Sequence, residues 1–355
     1  MKAALDLYTE NPGLWRILLA KVFGLAVRLR LRLFHMGVIK SRSLPVRVIS
    51  VGNLVVGGTG KTPTVLYIAR MLTNRGIKTA ILSRGYRGEN PNAINVVSDE
   101  NEVLMSPDQA GDEAYWLAAN LPGIPVLTGR HRYALGQEAI KRFGAQVLIL
   151  DDGFQHLALH RDVNLLLLDA EKPWGNGRLL PAGALREPQG QARRATAFLI
   201  TRTNKDASQL VASLNKQYPD HPVFQSRHAP TRLRPLHNGD NQPPTYLAGR
   251  RVIAVCGLAR PELFFNTLME LETDLAAFIR WPDHYWPREN DLTMVLEKAR
   301  ELGVDEVVTT AKDAVKLEHF PITKQGNLKF WILDVELSLL GSEDDLWQVL
   351  LPEAV

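Results

Sequence analysis

Cysteine is almost absent from this sequence, since Cys256 is the single cysteine in 355 residues. One thiol cannot form an intramolecular disulfide, and it excludes a metal site built from several cysteines. This usage fits a reducing cytosolic compartment. The chain is nevertheless long enough for two domains with substantial cores.

A strong excess of charge of either sign is also lacking. Lys and Arg number 42 against 38 Asp and Glu, so the net charge is +4. This balance gives no indication of a nucleic-acid-binding protein. The sequence shows no internal repeat or low-complexity segment, and nothing in it points to an obligate protein partner.

A membrane-spanning run is missing as well. The N-terminal segment GLWRILLAKVFGLAVRLRLRLFHMG is apolar, but Lys21 and several arginines interrupt it, well short of the roughly 20 uncharged residues of a spanning helix. Drawn as a helix, it has one apolar stripe with basic residues at its sides. The stripe contains Trp15, Leu18, Val22, Leu25, Leu29 and Leu33, and the basic flanks contain Arg16, Lys21, Arg28 and Arg30.

We expect residues 1–38 to form an amphipathic helix that lies in the interface of an anionic membrane. The alternative is a core helix whose arginines extend to solvent. A cleaved signal peptide is disfavoured, because Asp6 and Glu10 precede the apolar part.

The stretch VVGGTGKT, residues 55–62, predicts a phosphate-binding loop. It follows an apolar run that predicts a buried strand, and it precedes a segment with helical spacing. Free amide N–H groups and the helix dipole favour an anion at such a turn. We predict nucleotide binding by Gly57, Gly58, Thr59, Gly60, Lys61 and Thr62, with Lys61 on the outer phosphates and Thr62 on magnesium. The alternative is a glycine-rich turn without function.

This loop differs from the usual phosphate-loop pattern at one position and from a known variant of that pattern at another. The pattern expects glycine at position 55, where this chain has valine. A variant loop of some ATPases has an extra lysine just before the double glycine, where this chain has Val56. An active site completed by that lysine across a dimer is therefore not supported.

Strand and helix patterns alternate after the loop. Strands are predicted at 78–83, 163–168 and 197–201, and helices at 112–120, 132–143 and 289–302. This alternation predicts an α/β fold of the phosphate-loop NTPase type with a doubly wound parallel sheet, in which ligands bind at the carboxyl ends of the strands. The predicted domains are a kinase domain (39–222), a proline-rich linker (223–248) and a smaller α/β domain (249–355), whose last residues can pack back on the first.

Two pairs of adjacent acids stand near this predicted site. In LDDGFQH, Asp151 and Asp152 end an apolar strand, where either carboxylate could hold magnesium beside the phosphate loop. Asp112 and Glu113 begin a predicted helix, where capping alone would explain one of them. With two adjacent acids, one carboxylate could bind a metal ion and the other could accept a proton. Solvated strand-end aspartates are the alternative for the first pair.

A histidine and several arginines complete the candidate residues. His284, in RWPDHYWP, is either a hydrogen-bonded loop residue or a catalytic group from the second domain. Arginines in glycine-bearing loops near strand ends favour an anionic substrate in addition to ATP. These are Arg84, Arg87, Arg130, Arg132, Arg178 and Arg186.

The nucleotide is predicted to be ATP. Guanine-specific loops use Asn-Lys-x-Asp, whereas Asn204-Lys205-Asp206 places the acid one position too early. Two rival functions stay open at this point. One is a phosphate-loop nucleotide switch such as a metallochaperone-like GTPase, and the other is a membrane-binding scaffold with a degenerate loop.

The ordered motifs VGNLVVGGTGKTP, LSRGYRG, GDEAYWLA, LDDGFQH, NGRLLPAGALREP, GLARPELFF, PDHYWP and TTAKDAVKL resemble those of the tetraacyldisaccharide 4'-kinase family, which acts in lipid A biosynthesis in Gram-negative bacteria. The resemblance implies transfer of the ATP γ-phosphate, with Mg²⁺, to the 4'-hydroxyl of an acylated disaccharide 1-phosphate lipid. It implies a location on the cytoplasmic face of the inner membrane without a transmembrane span.

The same resemblance implies roles for individual residues. Asp112 and His284 correspond to the family's catalytic dyad, and Glu113 with Asp151 and Asp152 to its metal-binding acids. Gly60, Lys61 and Thr62 correspond to its phosphate loop. The implied architecture is two α/β/α domains joined by a two-stranded linker, with the reaction in the cleft between them.

Overall fold

The computed structural model describes residues 12–86, 88–90, 92–203, 206–258, 260–283, 285–324 and 328–352. These residues fall into two compact units, a larger one of 12–227 with 337–352 and a smaller one of 228–336. The chain passes from one unit to the other inside two strands, Val223–Pro235 and Lys329–Leu340. The boundaries predicted for the separate domains stay a prediction.

Strands and helices alternate along most of the described chain. The strands are β1 (Arg47–Gly52), β2 (Thr79–Ser83), β3 (Asn95–Ser98), β4 (Val126–Thr128), β5 (Val147–Asp151), β6 (Val163–Asp169), β7 (Ala197–Thr201), β8 (Val223–Pro235), β9 (Arg251–Cys256), β10 (Asp274–Arg280), β11 (Glu306–Thr310) and β12 (Lys329–Leu340). The helices are α1 (Leu14–His35), α2 (Lys61–Asn74), α3 (Pro107–Ala110), α4 (Asp112–Asn120), α5 (Arg132–Phe143), α6 (Ser208–Gln217), α7 (Pro261–Glu270), α8 (Glu289–Leu302), α9 (Ala311–Leu317) and α10 (Glu343–Leu350). The three helices predicted at 112–120, 132–143 and 289–302 are confirmed.

The sheet of the larger unit has the strand order β8-β7-β6-β1-β5-β2-β4-β3. Its pairs are parallel except for β3 with β4. The central strands are buried along nearly their whole length, as expected of parallel strands covered on both faces. The predicted α/β fold with a doubly wound sheet is therefore confirmed.

The strand order reverses at β1, which pairs with β5 on one side and β6 on the other. The register sets Val51 opposite Asp151, so the loops after both strands leave the same edge of the sheet. This topological switch point is where open α/β sheets bind ligands. The glycine-rich loop and Asp151 both lie there.

Helices cover both faces of this sheet. Val65, Ile68 and Leu72 of α2 pack in one buried cluster, and Leu135 of α5 packs in the cluster on the other side. Leu350 of the C-terminal helix α10 is also fully buried in the first cluster. The end of the chain therefore contributes to the core of the larger unit.

The smaller unit has the parallel strand order β10-β9-β11-β12. Its core joins Ile253, Val307 and Ile332 of the strands to Leu292 and Val295 of α8. The segment that follows β10 and the helix that follows β11 both start at the carboxyl edge of this sheet. The motif TTAKDAVKL and the described residues of the motif PDHYWP lie at or just after the strand ends at this edge.

Helix α1 attaches to the larger unit by the face opposite its apolar stripe. A Cβ at Gly24 would lie 2.9 Å from Leu179 Cδ1, and Arg30 Nη2 donates to the Gln155 carbonyl at 2.9 Å. The stripe residues Trp15, Leu18, Val22, Leu25 and Leu29 are between 59% and 64% exposed. The alternative of a core helix is therefore wrong, because these large apolar side chains face solvent. Among the described helices, none is long and apolar enough to cross a membrane.

Candidate active site

The glycine-rich loop after β1 leaves backbone amides open to a ligand. Gly57 and Gly60 have φ values of 119° and 80°, in a region that glycine adopts without steric cost. Gly60 is the N-cap of α2, and no described side chain caps this helix end. The first amide N–H groups of a helix lack intrahelical partners and favour an anion. The loop and Thr62, the second residue of α2, thus have the geometry of a phosphate-binding turn.

Two side chains at strand ends hold the loop in place. Asn53, just after β1, donates its Nδ2 to Thr59 Oγ1 at 2.7 Å. Arg202, just after β7, donates Nη2 to the Gly58 carbonyl at 2.6 Å and Nη1 to Asp169 Oδ2 at 2.5 Å. The sequence analysis missed both. Their position at the carboxyl ends of strands was the signal that could have identified them.

Lys61 and Arg186 bind the same carboxylate. Lys61 Nζ lies 3.8 Å from Asp152 Oδ1, and Arg186 donates Nη1 to Oδ2 at 2.7 Å and Nη2 to Oδ1 at 2.9 Å. Burial alone would raise the pKa of Asp152, but Lys61 and Arg186 outweigh burial and hold this pKa below its usual range. Asp152 is therefore ionised at neutral pH. The substrate contact predicted for Arg186 stays a prediction, since the structure places its guanidinium on Asp152.

Asp151 ends β5 with one carboxylate oxygen unpartnered. Ser83 Oγ donates to its Oδ2 at 3.0 Å, whereas its buried Oδ1 has no hydrogen-bond partner among the described residues. Burial, followed by the charges of Glu113 and Asp152, raises the pKa of Asp151 to about 6. An unpartnered oxygen beside two further acids fits Mg²⁺, which prefers carboxylates together with substrate phosphates. In the described part of the chain, no three acid, imidazole or thiol groups converge in a ready-made metal cage.

Asp112 and Glu113 are the first two residues of α4. Gly111 before them has a φ of 84°, and a Cβ there would lie 2.4 Å from the Tyr86 carbonyl. Only glycine allows this close approach, so it fixes where the helix begins. Asp112 is half-buried, and Glu113 is close enough to Asp151 to raise its pKa. The two acid pairs therefore belong to one region of the larger unit.

The arginines predicted as substrate contacts are placed differently from one another. Arg84, Arg130 and Arg178 are exposed, as a role in binding a substrate requires. Arg132, which the sequence analysis grouped with them, is 5% exposed. Burial lowers the pKa of Arg132 to about 10, whereas the nearby charge of Asp151 raises it. A buried cation thus lies close to the carboxylates. The sequence shows several arginines in loops but does not show that Arg132 is the buried one.

Two predicted site residues, Arg87 and His284, lie outside the described residues. The neighbours of His284 in the chain are described. Tyr285 donates its backbone N–H to the Pro282 carbonyl at 3.0 Å, and Asp283 is exposed. The roles predicted for Arg87 and His284 stay predictions.

The structure describes only part of the segment 204–206, which the sequence analysis compared with the Asn-Lys-x-Asp turn of guanine-specific proteins. Asn204 and Lys205 lie outside the described residues. Asp206 accepts hydrogen bonds from Ser208, at 2.8 Å from its backbone N and 2.9 Å from its Oγ. The Asp206 carboxylate therefore binds the start of α6.

Known proteins resemble this chain over most of its length. A family model described as tetraacyldisaccharide-1-P 4'-kinase matches residues 14–354. A tetraacyldisaccharide 4'-kinase of Syntrophus aciditrophicus is 43% identical over 327 residues, which are 87% of each chain. One of Geobacter metallireducens is 43% identical over 83% of this chain and 86% of that protein. The solved structure of LpxK from Aquifex aeolicus, in complex with ATP, has a TM-score of 0.73 at 32% identity and covers 93% of this chain and 96% of that one.

Proposed function

The chain belongs to the tetraacyldisaccharide-1-phosphate 4'-kinase family, and we propose from this premise that it is an ATP-dependent kinase of lipid A biosynthesis. It transfers the γ-phosphate of ATP to the 4'-hydroxyl of tetraacyldisaccharide 1-phosphate. The observation that carries this proposal is the family match over residues 14–354. The phosphate loop and the carboxylates next to it are consistent with that match. A nucleotide switch is disfavoured, because Asp206 is engaged at a helix start.

The phosphate loop is the site for ATP in this proposal. The amides at the start of α2 and the Lys61 ammonium bind the outer phosphates and stabilise charge on the phosphoryl group in transfer. Arg186 matters here because it shares Asp152 with Lys61. Because Arg186 also neutralises Asp152, the Lys61 ammonium remains available to bind phosphate oxygens.

Mg²⁺ would be held by Asp151, Glu113, Asp152 and the Thr62 hydroxyl. In that position the metal would supply positive charge that offsets the negative charge of the phosphates. The unpartnered Oδ1 of Asp151 is the atom that supports this assignment. Metal-binding measurements on single variants of the two strand-end aspartates identify the one that contacts the metal directly.

Asp112 is the proposed general base. A sugar hydroxyl is a poor nucleophile, so a carboxylate that accepts its proton accelerates the attack on phosphorus. His284 is proposed to orient or tune that carboxylate. Both assignments come from the family's catalytic dyad and from the position of Asp112 at the start of α4, next to Glu113.

Labelled phosphate distinguishes the kinase from its rival. The purified protein in detergent micelles with Mg²⁺, γ-labelled ATP and tetraacyldisaccharide 1-phosphate should move the label into the lipid fraction, because the loop and base act on a bound hydroxyl. γ-Labelled GTP should be a poor donor, and a chelator should stop transfer. Label released as free phosphate at a rate independent of the lipid would instead support a nucleotide switch.

The exposed stripe of α1 is proposed to bind the cytoplasmic face of the inner membrane. An acylated disaccharide stays in the bilayer, so the enzyme has to reach it there. Five large apolar side chains in solvent, flanked by basic residues such as Lys21 and Arg28, fit an anionic interface. In this proposal the helix lies on the membrane surface without a transmembrane span.

Charged residues in this stripe should weaken membrane binding. Each buried apolar side chain contributes about 1.5–3 kcal/mol, so Leu18→Glu with Val22→Glu should reduce binding to vesicles with anionic lipid by about tenfold or more. Co-sedimentation with such vesicles measures this loss. Met294→Glu is the matched control, since Met294 is 58% exposed on α8 and should bind like the wild type. Unchanged sedimentation of the double variant would contradict the anchor.

A further inference from the structure

The motif TTAKDAVKL contains a buried ion pair to which the proposed function assigns no role. Asp313 and Lys316 lie on α9 and are 1% and 3% exposed. Lys316 Nζ is 3.7 Å from Asp313 Oδ1. Burying two charges costs solvation free energy, and apolar residues of similar size often serve as well or better for stability. The pair therefore calls for an explanation beyond packing.

Asp313 is anchored by the ends of two neighbouring strands. Its Oδ2 accepts from the Gly257 backbone N at 2.9 Å and from Thr310 Oγ1 at 2.8 Å. A Cβ at Gly257 would lie 3.0 Å from Asp313 Oδ1, so the backbone after β9 approaches the carboxylate closely. Asp313 is thus fixed relative to the carboxyl ends of β9 and β11.

Lys316 connects this anchor to the segment after β10. Its Nζ donates to the Tyr285 carbonyl at 3.0 Å and lies 5.9 Å from the centre of the Trp286 ring. Lys312, one helical turn earlier, pairs its Nζ with Asp283 Oδ1 at 3.3 Å. Two lysines of one short helix therefore hold the residues on both sides of position 284.

A third contact fixes the same segment from α8. Tyr285 Oη donates to Asp291 Oδ2 at 3.0 Å, and the backbone N of Arg288 donates to the same oxygen at 2.7 Å. The backbone and side chain of Tyr285 are thus held from two different helices. The described residues on both sides of position 284 thus have several supports, which a catalytic side chain requires, since small displacements of such groups cost much of the rate.

We propose that Lys316, set in place by Asp313, is a positioning residue for His284, with Lys312 as a weaker second support. The proposal rests on the proposed function, in which His284 belongs to the catalytic dyad. Lys316 acts through the backbone that it holds and does not contact a substrate. Its removal leaves the Tyr285 carbonyl, next to position 284, without this donor, while the phosphate loop, which lies in the larger unit, keeps its contacts.

Kinetics in two backgrounds test this role. Lys316→Met should lower kcat by about 10- to 100-fold, because a displacement of about 1 Å can cost that much, with the KM for ATP within twofold of the wild type. In a His284→Ala background, Lys316→Met should cause no further loss, since both changes act through one group. Lys298→Met is the matched control, because Lys298 pairs with Glu301 on the exposed surface of the same unit, and it should leave kcat unchanged.

The contrary outcomes are distinct. Equal losses from Lys316→Met with and without His284 would overturn the positioning role and leave the dyad intact. Full activity of His284→Ala would overturn the dyad, and the positioning role with it. If thermal melting indicates that Lys316→Met does not fold, Lys312→Met decides the question, since its pair with Asp283 is partly exposed and its loss should also vanish in the His284→Ala background.

Discussion

Replacing Asp112 by asparagine is expected to lower kcat by about 10²- to 10⁴-fold, the range for loss of a general base. The amide keeps the size and shape of the side chain but cannot accept the proton of the 4'-hydroxyl. The affinity for ATP should change little, because the phosphate loop and the Lys61 ammonium are untouched. An effect on kcat and on kcat/KM in equal measure is the mark of a group that acts in the transition state.

Steady-state kinetics and ATP titration of the same preparation measure the two effects. Asp108→Asn is the matched control, since Asp108 also lies in the first turn of a helix and is exposed. This control should keep full activity, which separates the loss of a base from the loss of a charge at a helix start. If Asp112→Asn weakened ATP binding in proportion to kcat, Asp112 would be a nucleotide contact and the base would have to be another residue.

Local patterns in the sequence were sufficient for the elements that position this site. Residues 112–120 and 132–143 have helical spacing with clear ends at Gly111 and Gly144, and the structure has helices at these bounds. The apolar runs of β5 and β6 predicted strands, and both strands are buried along their whole length, as parallel strands covered on both faces are. The periodicity of apolar residues and the residues that end helices are local signals, so a single sequence is sufficient to predict these elements.

Contacts between distant residues could not be predicted in the same way. Arg186 was predicted to contact a substrate, and its fork on Asp152 joins residues 34 positions apart. Arg202 supports the phosphate loop from 144 positions away. Such pairs depend on the order of strands in the sheet, which spacing along the chain does not encode. The composition of loops shows that arginines are present but not which carboxylate or carbonyl each one binds.

The exposure of helix α1 was also undecided by pattern. A stripe of leucines flanked by arginines is compatible with a protein core and with a membrane surface. The small residues on the other face settle which side is attached, because Ala20 and Gly24 are buried. Small residues allow close approach of a helix to its neighbour. The face with Ala20 and Gly24 therefore packs against the protein, although the opposite face has the larger apolar side chains.

Replacing Arg186 by methionine is expected to lower kcat/KM for ATP by about 10²-fold, the lower end of the range for loss of one preorganised electrostatic group. Methionine keeps much of the apolar length of the side chain but removes both hydrogen bonds to Asp152. Among the described residues, Lys61 is then the one cation within 4.0 Å of that carboxylate. The Lys61 ammonium should move toward Asp152 and away from the phosphates that it stabilises.

The matched variants separate this mechanism from a general loss of positive charge. Arg186→Lys should restore little activity, because one ammonium cannot replace two parallel N–H donors to a carboxylate. Arg193→Met removes an exposed arginine seven positions away and should retain wild-type kinetics. Near-full activity of Arg186→Lys would mean that charge alone matters at position 186. In that case the two parallel N–H donors of Arg186 are not what leaves Lys61 available for ATP.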